Sequence, residues 1–184
     1  MGLLLHVCFT FEREGKSMRR HNGMRPQDLV ILLHAHLYHK NEPINQKVLN
    51  QELGICQSEI SCSIQRSMLA VLINYQGKVI ISNLKEFLRH GFRYTFPAQP
   101  GHYQKGLQTR SCFKLSGHKD KYVWAEPGGT AEGIAIKPLH WCLNGIQNTY
   151  PKLIQACQLL DHIRMGEKEE RLQAIKSLNK LLAN

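Results

Sequence analysis

Gly54 separates two amphipathic stretches, and that division constrains the fold more than any other feature of the chain. Before it, Asn45 can cap a short helix in which Val48, Leu49 and Leu53 recur at helical spacing. After it, a second helix begins near Cys56 or Gln57 and sets Ile60, Ile64, Met68 and Val71 within about 80° on a helical wheel. Glycine reaches the left-handed backbone that ends one helix and turns the chain toward the next. Ile55 is expected to plug the gap between them. The face opposite the isoleucine stripe carries Ser58, Cys62, Gln65 and Leu69, flanked by Ser61 on one edge and by Glu59 and Arg66 on the other.

The flanking pattern predicts the rest of an α+β, mostly helical fold. Pro26 suits a first helical position, because its missing N–H would be unpaired there anyway. Leu29, Leu32, Leu33, His36 and Leu37 then give a first helix to about Lys40, broken at Asn41-Glu42-Pro43. Past the third helix, a turn at Asn74–Gly77 leads to a short strand, Val79–Ile81. Ser82 is placed to cap a fourth helix closed by Gly91. Phe92–Phe96 alternates aromatic and polar residues, which predicts a strand stopped by Pro97. Residues 97–117 show little periodicity and read as a long loop. Tyr122–Ala125 and Gly133–Ile136 are expected strands able to pair as a small β-hairpin. A helix opens at Thr149 and Pro151, Gly166 breaks it, and a final helix runs over about 167–182 with acids at its start and lysines near its end. The aromatic residues Tyr94, Phe96, Tyr103, Phe113, Tyr122 and Trp124 are expected to build a second small core.

This pattern divides the chain into a mobile extension over 1–23, a three-helix unit with short strands over 24–98, and a hairpin with C-terminal helices over 99–184. The extension is also where a translation start assigned too early would fall.

At 184 residues the chain can bury a core without staples. Its formal net charge of +10 is compatible with a polyanionic partner. That excess is spread out, because residues 1–23, 24–96, 97–149 and 150–184 carry +2, +3, +3 and +2. No apolar run approaches the roughly 20 residues that span a bilayer. Six cysteines without a C-x-x-C pair read as reduced thiols of a cytoplasmic protein. Cys56 and Cys62 stand about 9 Å apart along a helix, beyond the reach of about 7 Å that a disulfide needs. His34, His36 and His39 do not share a face on a continuous helix, so no metal site is expected from them.

Catalytic signatures are missing: the chain has no G-x-S-x-G, P-loop, H-E-x-x-H or dinucleotide fingerprint. Binding is therefore the expected role, without a cofactor. A short helix, a glycine-containing turn and a second helix form the unit that sets a recognition helix in the DNA major groove. Gln and Ser hydrogen-bond base edges, and a Gln amide can contact adenine with both its groups. Gln57, Ser58, Ser61, Cys62 and Gln65 are the candidates for the groove, Arg66 at the rim for phosphate or guanine, and Lys47 for the DNA backbone.

The segment resembles the winged helix-turn-helix regulators of bacteria, broadly of the MarR-like kind. Leu49, Leu53-Gly54-Ile55, Gln57-Ser58-Glu59-Ile60-Ser61, Ile64 and Arg66 carry the resemblance. Phe87 to Ala98 (FLRHGFRYTFPA), the W-A-x-P element at Trp124–Pro127 and Gly133 to Leu139 (GIAIKPL) are similar to a group of small predicted regulators. The resemblance implies a winged-helix fold with its wing near Tyr75–Lys78, and transcription regulation through double-stranded DNA. It also implies a homodimer built on the C-terminal helices, with half-sites about 34 Å apart. The competing reading is an antitoxin-like or adaptor protein whose winged helix binds a protein. RNA binding ranks third, for want of an aromatic platform.

Overall fold

The computed structural model describes residues 23–40, 42–108, 122–126 and 128–183, with Gln108 described by its backbone alone. The expected extension over 1–23 lies outside these residues except for Gly23, as do Phe113 and the end of the expected 97–117 loop. The described chain is α+β and mostly helical. Its elements are α1 (Pro26–Tyr38), α2 (Gln46–Leu53), α3 (Gln57–Leu69), α4 (Ile81–His90), α5 (Phe92–Thr95), β1 (Pro100–Gln108), β2 (Tyr122–Ala125), β3 (Ala131–Ile136), a 3-10 turn (Trp141–Asn144), α6 (Pro151–Met165) and α7 (Lys168–Leu181). Among the described residues, no helix is long and apolar enough to cross a membrane.

Local chemistry accounts for the helix limits. Pro26 and Pro151 begin α1 and α6. Asn45 Oδ1 accepts from the backbone N–H groups of Lys47 and Val48, satisfying two free donors of α2. Gly54 ends α2 at φ 65°, and Ile55 is buried beneath the turn. Glu167 and Glu170 cap α7 reciprocally. Ser82 is not the cap of α4, which starts at Ile81 with Ile80 in the capping position and no side-chain cap.

Four sequence expectations give way to tertiary packing. Phe92–Phe96 is helical, not a strand. Phe92 and Phe96 lie four residues apart, so one helical turn buries both rings, while Tyr94 points to solvent. The expected loop beyond Pro97 contains β1, whose outer residues are almost all exposed and so leave no apolar alternation. β2 and β3 are not a hairpin. Both run antiparallel to β1 and pair in parallel with each other, closing a three-stranded ring. The ring closes tightly at Gly106, which faces both Ala125 and Ala131. A Cβ at Gly106 would collide with the Trp124 carbonyl, and one at Gly129 with the Gly106 backbone. The expected strand Val79–Ile81 shrinks to one bridge between Ile73 and Val79.

One core joins the stretches on either side of residue 98. It draws Leu29–Leu33, Leu49, Leu53, Ile60, Leu84 and Leu88 together with Trp124, Ile136, Leu143 and the inner residues of α6 and α7. α6 is the central helix, with nine of its 15 residues buried, including all six from Ala156 to Asp161. Such a helix is buried all round, which leaves α7 as the C-terminal helix with a free face. Trp124 Nε1 donates to Asp161 Oδ2 (2.6 Å), Arg164 Nε donates to Asp161 Oδ1 (2.9 Å), and Arg164 Nη2 donates to the Lys137 carbonyl. These bonds fasten the small sheet to α6. Of the expected aromatic core, Phe96 and Trp124 are buried and Tyr122 is half-buried, whereas Tyr94 and Tyr103 are exposed.

Candidate nucleic-acid interface

α3 presents two distinct sides. Its inner side buries Ile60, Ser63, Arg66 and Ser67. Ile64 is half-buried, and Met68 and Val71 are exposed, so the expected stripe of Ile60, Ile64, Met68 and Val71 holds only over its first half. The buried face turns onto the two serines, small residues that let α3 lie close to α1. The outer side exposes Gln57, Ser58, Cys62 and Gln65, with Ser61 half-buried at its edge. Lys47 is exposed on the neighbouring α2. Six of the seven candidate residues therefore lie on or beside an accessible surface.

Arg66 is the exception. The sequence places it at the rim, but the structure buries it against Asp28. Arg66 Nε donates to Asp28 Oδ2 (2.9 Å) and Arg66 Nη2 to Asp28 Oδ1 (2.6 Å). The Arg25 backbone N–H donates to the same carboxylate (2.7 Å). A fully buried carboxylate needs such partners, and a guanidinium supplies two parallel donors. The pairing pushes the Arg66 guanidinium further above its ordinary value. A side chain committed in this way is not available to phosphate or guanine.

Glu59 also turns away from the outer face. Its carboxylate accepts from Gln27 Nε2 (2.8 Å) and lies 3.7 Å from Arg25 Nη1 at the start of α1. The one acid of α3 is thereby held beside a cation, which lessens its repulsion of a polyanion.

Cys56 holds the position before α3 without a side-chain cap. Its sulfur lies 3.2 Å from Ser58 Oγ, and that hydroxyl, with the Glu59 backbone N–H, holds the thiol below its ordinary value. Cys56 and Cys62 are exposed free thiols, whereas burial pushes the Cys142 thiol up to about 12.

Beyond α3 the chain turns at Asn74–Gly77, where Asn74 Oδ1 accepts from the backbone N–H groups of Gln76 and Lys78. Tyr75 stands 89 % exposed at the tip. Leu69, 74 % exposed, and Val71 add apolar surface at the end of α3. Val71 lies at φ 55°, an unusual backbone for a β-branched residue.

Two further features adjoin this unit. An open cleft of about 1110 Å³ lies between the starts of α1 and α3 and the segments 95–99 and 137–144; Arg25, Glu59, Gln99, His140 and Trp141 are among its walls. Burial holds the His140 imidazole below its ordinary value. On another side, His34 and His39 both meet Glu52 of α2, each with Nε2 at 2.7 Å from Glu52 Oε2. The helical wheel does not reveal this cluster, because His39 leaves the helix as its C-cap (φ −125°, ψ 42°). His36 stays on the helix and bonds instead to the Leu182 carbonyl.

No protein family, curated protein or solved structure matches the chain.

Proposed function

We propose that the protein is a transcriptional regulator of the winged helix-turn-helix type that binds double-stranded DNA through the outer face of α3. The observation that carries this reading is the exposure of Gln57, Ser58, Cys62 and Gln65 together on one helix, immediately after the Gly54 turn. Amide and hydroxyl groups displayed at that spacing can meet base edges in the major groove. Backbone N–H groups at the start of α3 and the ammonium of Lys47 are the candidate phosphate contacts. With Arg66 withdrawn into the core, sequence reading rests on the two glutamines, and affinity on phosphate contacts. A homodimer, with α7 as the C-terminal helix free to contribute, would present two copies of α3 to half-sites about 34 Å apart. The cytoplasm is the proposed compartment.

A gel-shift titration with the duplex upstream of the protein's own coding region tests this reading. Salt-sensitive binding is expected. No salt-sensitive binding to that duplex or to a random duplex pool would contradict it.

A second reading is favoured by one observation. Met68, Leu69, Val71 and Tyr75 expose apolar surface at the end of α3 and the tip of the following turn. An adaptor or antitoxin-like protein would seat a protein partner on such a surface.

A further inference from the structure

We propose that His34, His39 and Glu52 form a binding site for one divalent transition-metal ion of the zinc class, joining the end of α1 to α2. Each residue offers one ligand atom, and the three atoms lie within 4.8 Å of one another. Both imidazoles present Nε2 to the same carboxylate oxygen at 2.7 Å. Tetrahedral zinc with ligands at about 2.0–2.1 Å sets its donors roughly 3.3 Å apart. Each imidazole–carboxylate pair, now at 2.7 Å, must therefore open by about 0.6 Å to admit the ion. The freedom to do so is present, because the side chains of His39 and Glu52 are 26 % and 25 % exposed.

Two imidazoles and one carboxylate make the ligand set of open-sided zinc and iron(II) sites, which keep a position for water. His34 is the fixed member. Its side chain is fully buried, stacked on Tyr38 at 5.0 Å and met edge-on by Tyr150 at 4.6 Å. His39 and Glu52 are only partly exposed, so solvent reaches the cluster on their side.

The donor chemistry also limits the affinity. His34 Nδ1 is buried without a hydrogen-bond partner. Metal-bound histidines usually donate Nδ1–H to an acceptor that strengthens them as ligands, and losing such a partner costs about 10–100-fold in affinity. The site is accordingly weaker than one in which both imidazoles are so supported.

The test is a cobalt(II) titration of the full chain after stripping with chelator, read by visible absorption and checked by calorimetry with zinc. One equivalent is expected to bind, with the weak visible bands of nitrogen and oxygen ligation and no near-ultraviolet thiolate band. His39→Ala and Glu52→Gln are each expected to weaken binding at least about tenfold. His36→Ala and the Cys56→Ser/Cys62→Ser pair are expected to leave it unchanged. Nitrogen-15 shifts of the histidine rings in the unaltered chain give a readout independent of any variant's folding. Zinc should move Nε2 of His34 and His39 and leave His36 in place. A thiolate band that disappears in the cysteine variant, ring shifts elsewhere, or no saturable binding below millimolar metal would each overturn the proposal.

Discussion

Arg66 of α3 reaches 38 residues back in the sequence to grip the Asp28 carboxylate with two parallel hydrogen bonds. The same carboxylate accepts the Arg25 backbone N–H and so completes the start of α1. One buried charge pair thus fixes the entry of α1 and the seating of α3 together. The pairing also decides what α3 can show to solvent, because it withdraws the only cation of that helix.

Removing one partner is expected to cost far more than removing both. Asp28→Ala leaves a guanidinium buried without compensation and should lower stability by about 3–5 kcal/mol. The double variant Asp28→Ala/Arg66→Met replaces the pair with apolar volume and should recover most of that loss. Urea denaturation of the three proteins measures the difference. The double variant should also bind DNA as the unaltered chain does, since Arg66 is not offered as a contact.

Val71 offers a stabilising change. Its φ of 55° costs a β-branched residue about 1–2 kcal/mol, and its exposed side chain returns little burial. Val71→Asn should raise stability by up to about 1 kcal/mol, because asparagine tolerates this backbone. Gly54→Ala, at φ 65° with open space around the missing Cβ, should lose a similar amount through backbone strain alone. Thermal melts that move in opposite directions for the two variants would support both assignments.

Asp161 should make stability depend on pH. Burial raises its carboxyl above the ordinary value, more than Arg164 and Trp124 lower it. The folded state therefore holds this proton more tightly than the unfolded chain does. The resulting stability is complete below about pH 3.9, the unfolded value, and is lost as pH rises through the raised folded value. The difference in stability between the unaltered chain and Asp161→Asn should accordingly shrink as pH rises across that window. Urea midpoints at a series of pH values measure it. A difference that grows with pH would mean that pairing with Arg164 outweighs burial.

What could be read before the structure was largely local. Pro26, Asn45, Gly54, Pro151 and Gly166 each act through their own backbone or a neighbour within three residues, and each marks a boundary the structure keeps. The rest depends on residues far away in the chain. Arg66 looks like a rim residue until Asp28 is brought beside it. The rings of Phe92 and Phe96 suit a strand or a helical turn equally well, and packing settles the choice. β1 carries no apolar alternation because its side chains are mostly exposed, and its hydrogen bonds come from strands that follow it. His34 and His39 meet Glu52 only because the chain leaves helical geometry at His39.

The most direct test of DNA binding through α3 is the affinity of a Gln57→Ala/Gln65→Ala variant for a duplex selected from a random pool by the unaltered protein. Fluorescence anisotropy at fixed salt reads it, with a thermal melt to verify that the fold is intact. Each lost contact to a base edge is worth about 1–3 kcal/mol, so binding should weaken at least about tenfold while the melt stays unchanged. An unchanged affinity in a folded variant would contradict the assignment of that face to DNA.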